Sequence, residues 1–227
     1  MKKAIAESFG SWASGPAPST NVPDAKSQHV LDLTDRPGSP QSTLLLGLPV
    51  PGPNSPDTMP LEVTNALLGG SFGSRITSNI REQKGYTYSP RSQVSTRYHD
   101  AYWAEAADVT TQFTGASLRE IFREITRLQN EAPGETELKG IETYLSGLFV
   151  IRNSSRRALI EQLSFVDLQG LGDEYLKNWV QNANSVTPEQ VQGMMKKYIR
   201  PNDMAIVVVG DKAKIGEQIV PFLPAGK

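Results

Sequence analysis

Strand-length apolar runs open and close most of this chain, and a long block of helical periodicity lies between them. Ser42-Thr43-Leu44-Leu45-Leu46-Gly47-Leu48-Pro49 is apolar almost without interruption and is bounded by Pro40 and Pro49, the pattern of a buried central strand. Met204-Ala205-Ile206-Val207-Val208-Val209-Gly210 is a second such run and also predicts a central strand. Residues 86–109 alternate and are rich in β-formers, with His99-Asp100 in their middle, which predicts two antiparallel strands. Past Thr110-Thr111 the period lengthens. Leu118, Ile121, Phe122, Ile125 and Leu128 recur at helical spacing, and so do Leu138, Ile141, Leu145, Leu148 and Phe149. Shorter helices are expected over residues 157–165, 172–182 and 212–219. Thr187-Pro188-Glu189-Gln190 is a strong helix start, with a hydroxyl cap, a proline at the first position and a glutamine three residues after the cap. Strands, then helices, then a closing strand predict an α+β fold with a mostly antiparallel sheet packed against a layer of helices.

The N-terminal portion reads differently. Residues 14–35 are rich in Ser, Pro, Gly and Ala, and Pro16, Pro18 and Pro23 bar regular helix, so a linker is expected there, with a short strand at Val30-Leu31-Asp32-Leu33. The expected organisation is a tail of a preceding domain plus linker over 1–35 and one domain over 36–227. Met1-Lys2-Lys3 resembles the front of a secretory signal, but Glu7 interrupts the next few residues and no apolar core is sustained. No stretch reaches the roughly 18 to 20 apolar residues that cross a bilayer, so no membrane span is expected. The balance of 23 basic and 24 acidic side chains disfavours nucleic acid as a partner, and the absence of cysteine excludes disulfides, thiolate metal sites and a cysteine nucleophile.

Chemistry concentrates in residues 67–88. Leu67-Leu68-Gly69-Gly70-Ser71-Phe72-Gly73 reads as a helix terminated at Gly69 and a Gly-rich turn. Ser74 then caps a short amphipathic helix that ends at Gly85, and Tyr86-Thr87-Tyr88 begins a strand. Arg81 and Tyr88 therefore flank a helix-to-strand junction, where the pair can grip a peptide backbone. The alternative is an arginine on a solvated helix face and a tyrosine on a half-buried strand. Alternation puts Tyr86 on the same strand face as Tyr88, so pattern alone does not choose between them. The glycine pair followed by a helix also invites a phosphate cradle, but no Lys-Ser/Thr follows at P-loop spacing and a tight turn is the better reading. Ser74 and Arg75 read as a cap and a salt-bridged or packing residue.

Gly69-Gly70, Ser74-Arg75, Arg81-Glu82, Gly85 and Tyr88 resemble the signature of the non-catalytic half of insulinase/pitrilysin-type zinc metallopeptidases. The similarity in element order extends over roughly residues 30–221. The resemblance implies two homologous halves closing around a substrate peptide. One half, in the same chain or a separate subunit, carries zinc on a His-x-x-Glu-His helix. The other supplies an arginine and a tyrosine seven residues apart, the spacing of Arg81 and Tyr88. On that basis Arg81 and Tyr88 are the expected donors to the scissile carbonyl and oxyanion, Gly69, Gly70 and Gly85 the structural turn residues, and a bacterial periplasmic setting the expected compartment.

Zinc in a peptidase of this kind calls for two histidines one helical turn apart with a carboxylate between them. This chain has only His29 and His99, neither beside a suitably spaced Glu. No cofactor is therefore expected in this chain, zinc is expected on the companion half, and the chain is expected to be inactive alone. The expected function is that of a peptide-binding, carbonyl-stabilising half. The alternative is a non-enzymatic scaffold or peptide-binding subunit of a larger complex, as in relatives that have become structural cores.

Overall fold

The alternation expected of strands is seen most clearly at the centre of the sheet. In the computed structural model, which describes residues 1–16, 21 and 23–224, strands β1 (Val30–Asp35), β2 (Gln41–Val50), β3 (Arg91–Arg97), β4 (Asp100–Thr110) and β5 (Ala205–Gly210) form one sheet in the order β1-β5-β2-β4-β3. β2 pairs antiparallel with both β4 and β5, and β3 antiparallel with β4; only β1 with β5 is parallel. The mostly antiparallel α+β reading therefore holds, and β2 is the central strand. Its apolar run is nonetheless buried on one face only: Ser42, Leu44, Leu46, Leu48 and Val50 point into the core, while Leu45 remains exposed. A continuous apolar run predicts burial on both faces, but here helices cover one face of the described sheet. β1 is hydrogen-bonded into the sheet, which places residues 30–35 with the domain and not with the linker. Pro18, on which the linker reading partly rests, lies outside the described residues.

Nine α-helices are described: α1 (Lys2–Phe9), α2 (Thr58–Asn65), α3 (Thr114–Asn130), α4 (Glu135–Arg152), α5 (Arg156–Gln169), α6 (Glu174–Lys177), α7 (Trp179–Ala183), α8 (Pro188–Tyr198) and α9 (Lys212–Ile219). The capping box predicted at Thr187 forms as expected: the Thr187 hydroxyl accepts from the Gln190 backbone N–H, and the Gln190 side chain accepts from the Thr187 N–H at 2.9 Å. The predicted helix over 172–182 is two short ones broken at Asn178. Leu118, Ile121, Ile125 and Leu128 of α3 are fully buried against the sheet, together with Leu61 of α2 and Met195 of α8. Leu138 and Ile141 of α4 join this core, whereas Ile151, Ile160 and Leu163, at the end of α4 and on α5, are exposed.

A small polar knot fastens α2 to the sheet. The Asn65 Oδ1 accepts from Ser92 Oγ of β3 at 2.7 Å and from Trp103 Nε1 of β4 at 3.0 Å, all three residues being buried. Glu105, paired in register with Ser92, lies beside them on the same inner face, fully buried, with neither carboxyl oxygen in a well-formed hydrogen bond. Desolvation pushes its carboxyl well above the ordinary value of 4.5, and the Arg91 backbone N–H opposes the shift only in part.

Glu105 thus favours its neutral form in the folded state over a wider pH range than in the unfolded chain. Because the folded state holds this proton more tightly, the stability linked to it is complete below about pH 4.5 and is lost as pH rises towards the raised folded value, about 1.4 kcal/mol for each unit of displacement. Glu105→Gln is expected to remove that dependence. The denaturant midpoint of the variant relative to the parent should climb as pH rises above about 4.5, the ordinary carboxyl value; a constant difference would mean that Glu105 does not titrate with folding.

Candidate functional site

The segment that follows α2 is wound more widely than an α-helix. Ala66–Gly70 is a π-helical turn, residues 71–74 form the connection, and Thr77–Gln83 is a second π-helix. Such turns insert an extra residue into a helix and recur at functional sites. Gly69 and Gly70 therefore close a helix and do not themselves make the expected tight turn, which lies one step later. Neither has a positive φ. What they need is room: a Cβ on Gly69 would lie 2.6 Å from Ser92 Oγ and 2.8 Å from Glu105 Oε2, and one on Gly70 would lie 2.5 Å from Asn65 Nδ2. Gly85 is a turn residue in the expected sense. At φ +65° it ends the second π-helix, its N–H donating to the Arg81 carbonyl and the Tyr86 N–H turning back to that of Ile80.

Two tethers hold this unit. Arg75 donates from Nε and Nη2 to the two oxygens of Glu137 on α4, each at 2.8 Å, with its side chain only 10% exposed, which bears out its reading as a salt-bridged residue. On the α3 side, Asn79 Nδ2 donates to Glu120 Oε2 at 2.9 Å and to Glu124 Oε1 at 2.7 Å. Burial works against ionisation of Glu120, but the hydrogen bonds from Asn79 and Lys84 still hold its carboxyl below the ordinary range. Ser74 bonds to the Thr77 hydroxyl at 3.0 Å and makes no cap to a backbone N–H.

Arg81 and Tyr88 do meet. The Arg81 guanidinium lies 4.9 Å from the Tyr88 ring centroid and 4.5 Å from that of Phe72, between two aromatic faces. Its Nε sits 3.1 Å from Glu82. Among the described residues its Nη atoms and the Tyr88 hydroxyl make no hydrogen bond within the chain, so both donors are free for a ligand. Tyr88 and Phe72 are 79% and 65% exposed.

Tyr88 is not on a strand, contrary to expectation. β3 begins at Arg91, and in this stretch only Thr87 pairs with Val109, its hydroxyl donating to the Asp108 carbonyl at 2.6 Å. Bends at Tyr86 and Tyr88 break the two-residue period. Tyr86 packs inward, stacked on Phe113 at 4.4 Å, while Tyr88 turns out over Arg81, so the structure separates two residues that alternation left equivalent. Phe72 was missed by sequence reasoning. Its only signal is an aromatic residue standing in a Gly-rich connection, outside any hydrophobic period.

The histidines do not suit zinc. His29 Nε2 is 3.5 Å from the Phe222 carbonyl oxygen, and His99 sits at the tip of the β3–β4 hairpin with φ 52°, beside Asn54. Among the described residues no group of three or more His, Asp or Glu side chains is arranged to hold a metal ion, and no helix is long and apolar enough to cross a membrane.

Comparison with known proteins agrees with this architecture. The peptidase M16 inactive domain model matches residues 1–145. The uncharacterized zinc protease YmxG of Bacillus subtilis is 26% identical over 215 residues, covering 91% of this chain and 50% of the relative. A Helicobacter pylori protein named non-peptidase homolog YmxG is 24% identical over 151 residues, covering 65% of this chain and 34% of the relative. The chain thus spans half or less of these relatives. The crystal structure of a peptidase M16 inactive domain from Pseudomonas fluorescens superposes with a TM-score of 0.79 at 24% identity, covering 86% of this chain and 47% of that one, a likeness of fold. The insulinase/pitrilysin resemblance read from residues 67–88 accords with these matches. The chain belongs to the peptidase M16 inactive domain family.

Proposed function

We propose that this chain is the non-catalytic half of a zinc metalloendopeptidase, binding the substrate peptide while a homologous companion half carries the metal and the general base on a His-x-x-Glu-His helix. The observation that supports this reading is the stacking of Arg81 between Phe72 and Tyr88. The rings fix the plane of the guanidinium without using its Nη donors, and the Tyr88 hydroxyl lies beside it on the same exposed surface. Two donors side by side, with no hydrogen bond to the described residues, suit a carbonyl oxygen, and suit it better as negative charge gathers there during attack. The arginine side chain is long and rotamer-rich, so holding it in advance lowers the entropic cost of ordering it in the transition state.

A second reading is a non-enzymatic scaffold or peptide-binding subunit, and the name of the Helicobacter pylori relative favours keeping it. A companion bearing His-x-x-Glu-His, encoded in the same chain or beside it, separates the two. With such a companion, a fluorogenic peptide should be cleaved and a chelator should stop the cleavage. Without one, the scaffold reading prevails.

In the assembled protein, Tyr88→Phe is expected to lower kcat by about 10² to 10³, the usual cost of losing one oxyanion donor, with the unfolding midpoint unchanged because the hydroxyl makes no hydrogen bond among the described residues. Unaltered turnover would remove Tyr88 from the mechanism. Phe72→Ala is expected to reduce kcat by roughly 3- to 30-fold with little change in KM, since a cation–π contact of about 0.5 to 2 kcal/mol positions Arg81. Phe72→Tyr should restore the rate; a loss of stability without that rescue would mark Phe72 as a packing residue only.

A further inference from the structure

Where the second π-helix meets α3 and the first turn of α4, a cleft of about 380 Å³ is lined by Arg75, Asn79 and Glu124. Among the described residues Arg75 Nη1, Asn79 Oδ1 and Glu124 Oε2 are buried without a hydrogen-bond partner. Asn79 and Glu124 are each 5% exposed, and the Arg75 side chain 10%. The bonds these residues do make fix which atoms are left over. Arg75 spends Nε and Nη2 on Glu137, which leaves Nη1. Asn79 gives its amide nitrogen to Glu120 and Glu124, so its remaining group is an acceptor. Glu124 receives that bond on Oε1, and its Oε2 has only Arg127 Nη1 at 3.6 Å, too far for a hydrogen bond. A buried polar atom left unpaired costs free energy, and these three together define what an occupant must offer: one acceptor and two donors.

The walls narrow the choice. Every lining residue is charged, polar or glycine, so an apolar group gains nothing by entering. The volume lies at the small end of the range for ligand sites, about 300 to 1,000 Å³. A simple anion would suit Lys84, Arg123 and Arg127 but would meet the unpaired oxygens of Asn79 and Glu124. A simple cation would suit those oxygens but would meet the basic side chains. A small dipolar molecule meets neither objection.

We infer that this cleft binds a free α-amino acid with a small or polar side chain, as its zwitterion. The ammonium donates to Asn79 Oδ1 and Glu124 Oε2. The carboxylate accepts from Arg75 Nη1 and from Arg127, which exchanges its long contact with Glu124 for a direct one to the ligand. Arg127 has the freedom to do so, its side chain being 54% exposed. The occupant joins three elements at once, because Asn79, Glu124 and Glu137 bring the π-helix, α3 and α4 to the same cleft. Neither a companion half nor a bound peptide is required, so the inference stands or falls apart from the proposed peptidase role.

Titration calorimetry on the full-length protein that carries this chain tests it, with L-serine and L-glutamine as probes. At least one of them is expected to bind with one-to-one stoichiometry. Its N-acetyl form, which lacks the ammonium, its amide, which lacks the carboxylate, and inorganic phosphate are each expected to bind at least about tenfold more weakly. Arg127→Ala and Glu124→Gln should each weaken the amino acid by a similar factor. The glutamine keeps the Oε1 that Asn79 uses; should it nonetheless lower the unfolding midpoint, Arg127→Ala decides alone, since Arg127 is exposed and makes only long ion pairs. No binding of either amino acid at millimolar concentration would overturn the inference and leave the cleft to water. Phosphate or the N-acetyl form binding as tightly would make it an anion site, and the amide binding as tightly a cation site; each result overturns the zwitterion. Equal affinity for the dipeptide seryl-serine would transfer the site to peptide ends, and an affinity that neither variant alters would place binding elsewhere.

Discussion

Everything at the candidate site depends on how closely the Ala66–Gly70 turn approaches the sheet. The backbone at Gly69 sits so near β3 and β4 that a single methyl group would collide with Ser92 and Glu105. Asn65, one residue before the turn, supplies the polar anchor by accepting from both strands at once. With the helix end pinned there, the chain must leave the sheet immediately, and residues 71–74 are thrown outward with Phe72 exposed at their crest. The low approach also explains a costly feature. Glu105 lies under the turn where no side chain satisfies its oxygens, and the site tolerates it by keeping it protonated.

From that fixed departure point the second π-helix has few placements open to it. Asn79 grips two carboxylates of α3 and Arg75 grips Glu137 of α4, so the segment is held by two separate elements around one pocket. Arg81 emerges on the remaining side. A free arginine there would sample many rotamers; two rings and a neighbouring carboxylate favour the one in which the guanidinium lies between them. Tyr88 reaches the same place by a different route, because Thr87 is fastened to the end of β4 and the chain bends directly after it. Helix and sheet each deliver one member of the pair, and Phe72 from the turn completes the arrangement.

Much of this was legible in the sequence, and the remainder was not for identifiable reasons. The central strands, the two long helices and the Thr187 capping box carry their own local signals and appear where those signals put them. The family resemblance paired Arg81 with Tyr88, and their side chains lie in contact. A π turn, however, has no compositional signature. Inserting one residue alters which side chains share a face, and a 3.6-residue reading cannot register it. Tyr86 and Tyr88 could not be told apart because alternation assumes an extended strand, and the chain bends at both. Leu45 looked buried because a run of leucines does not reveal that helices cover only one sheet face. Glu105 looked unremarkable, since an acid in a strand is ordinarily on the solvent side and only the pairing register turns it inward.

The two tethers of the π-helix differ in what they transmit. The Asn79 contacts reach α3, a helix buried against the sheet along its length, and so fix Arg81 relative to the core. The Arg75–Glu137 pair reaches the first turn of α4, a helix whose inner end is packed but whose outer end and successor α5 carry exposed apolar residues. The segment that carries Arg81 is thus tied to two different supports, α3 and α4, and Phe72 of the 71–74 connection stacks on Arg81 from a third.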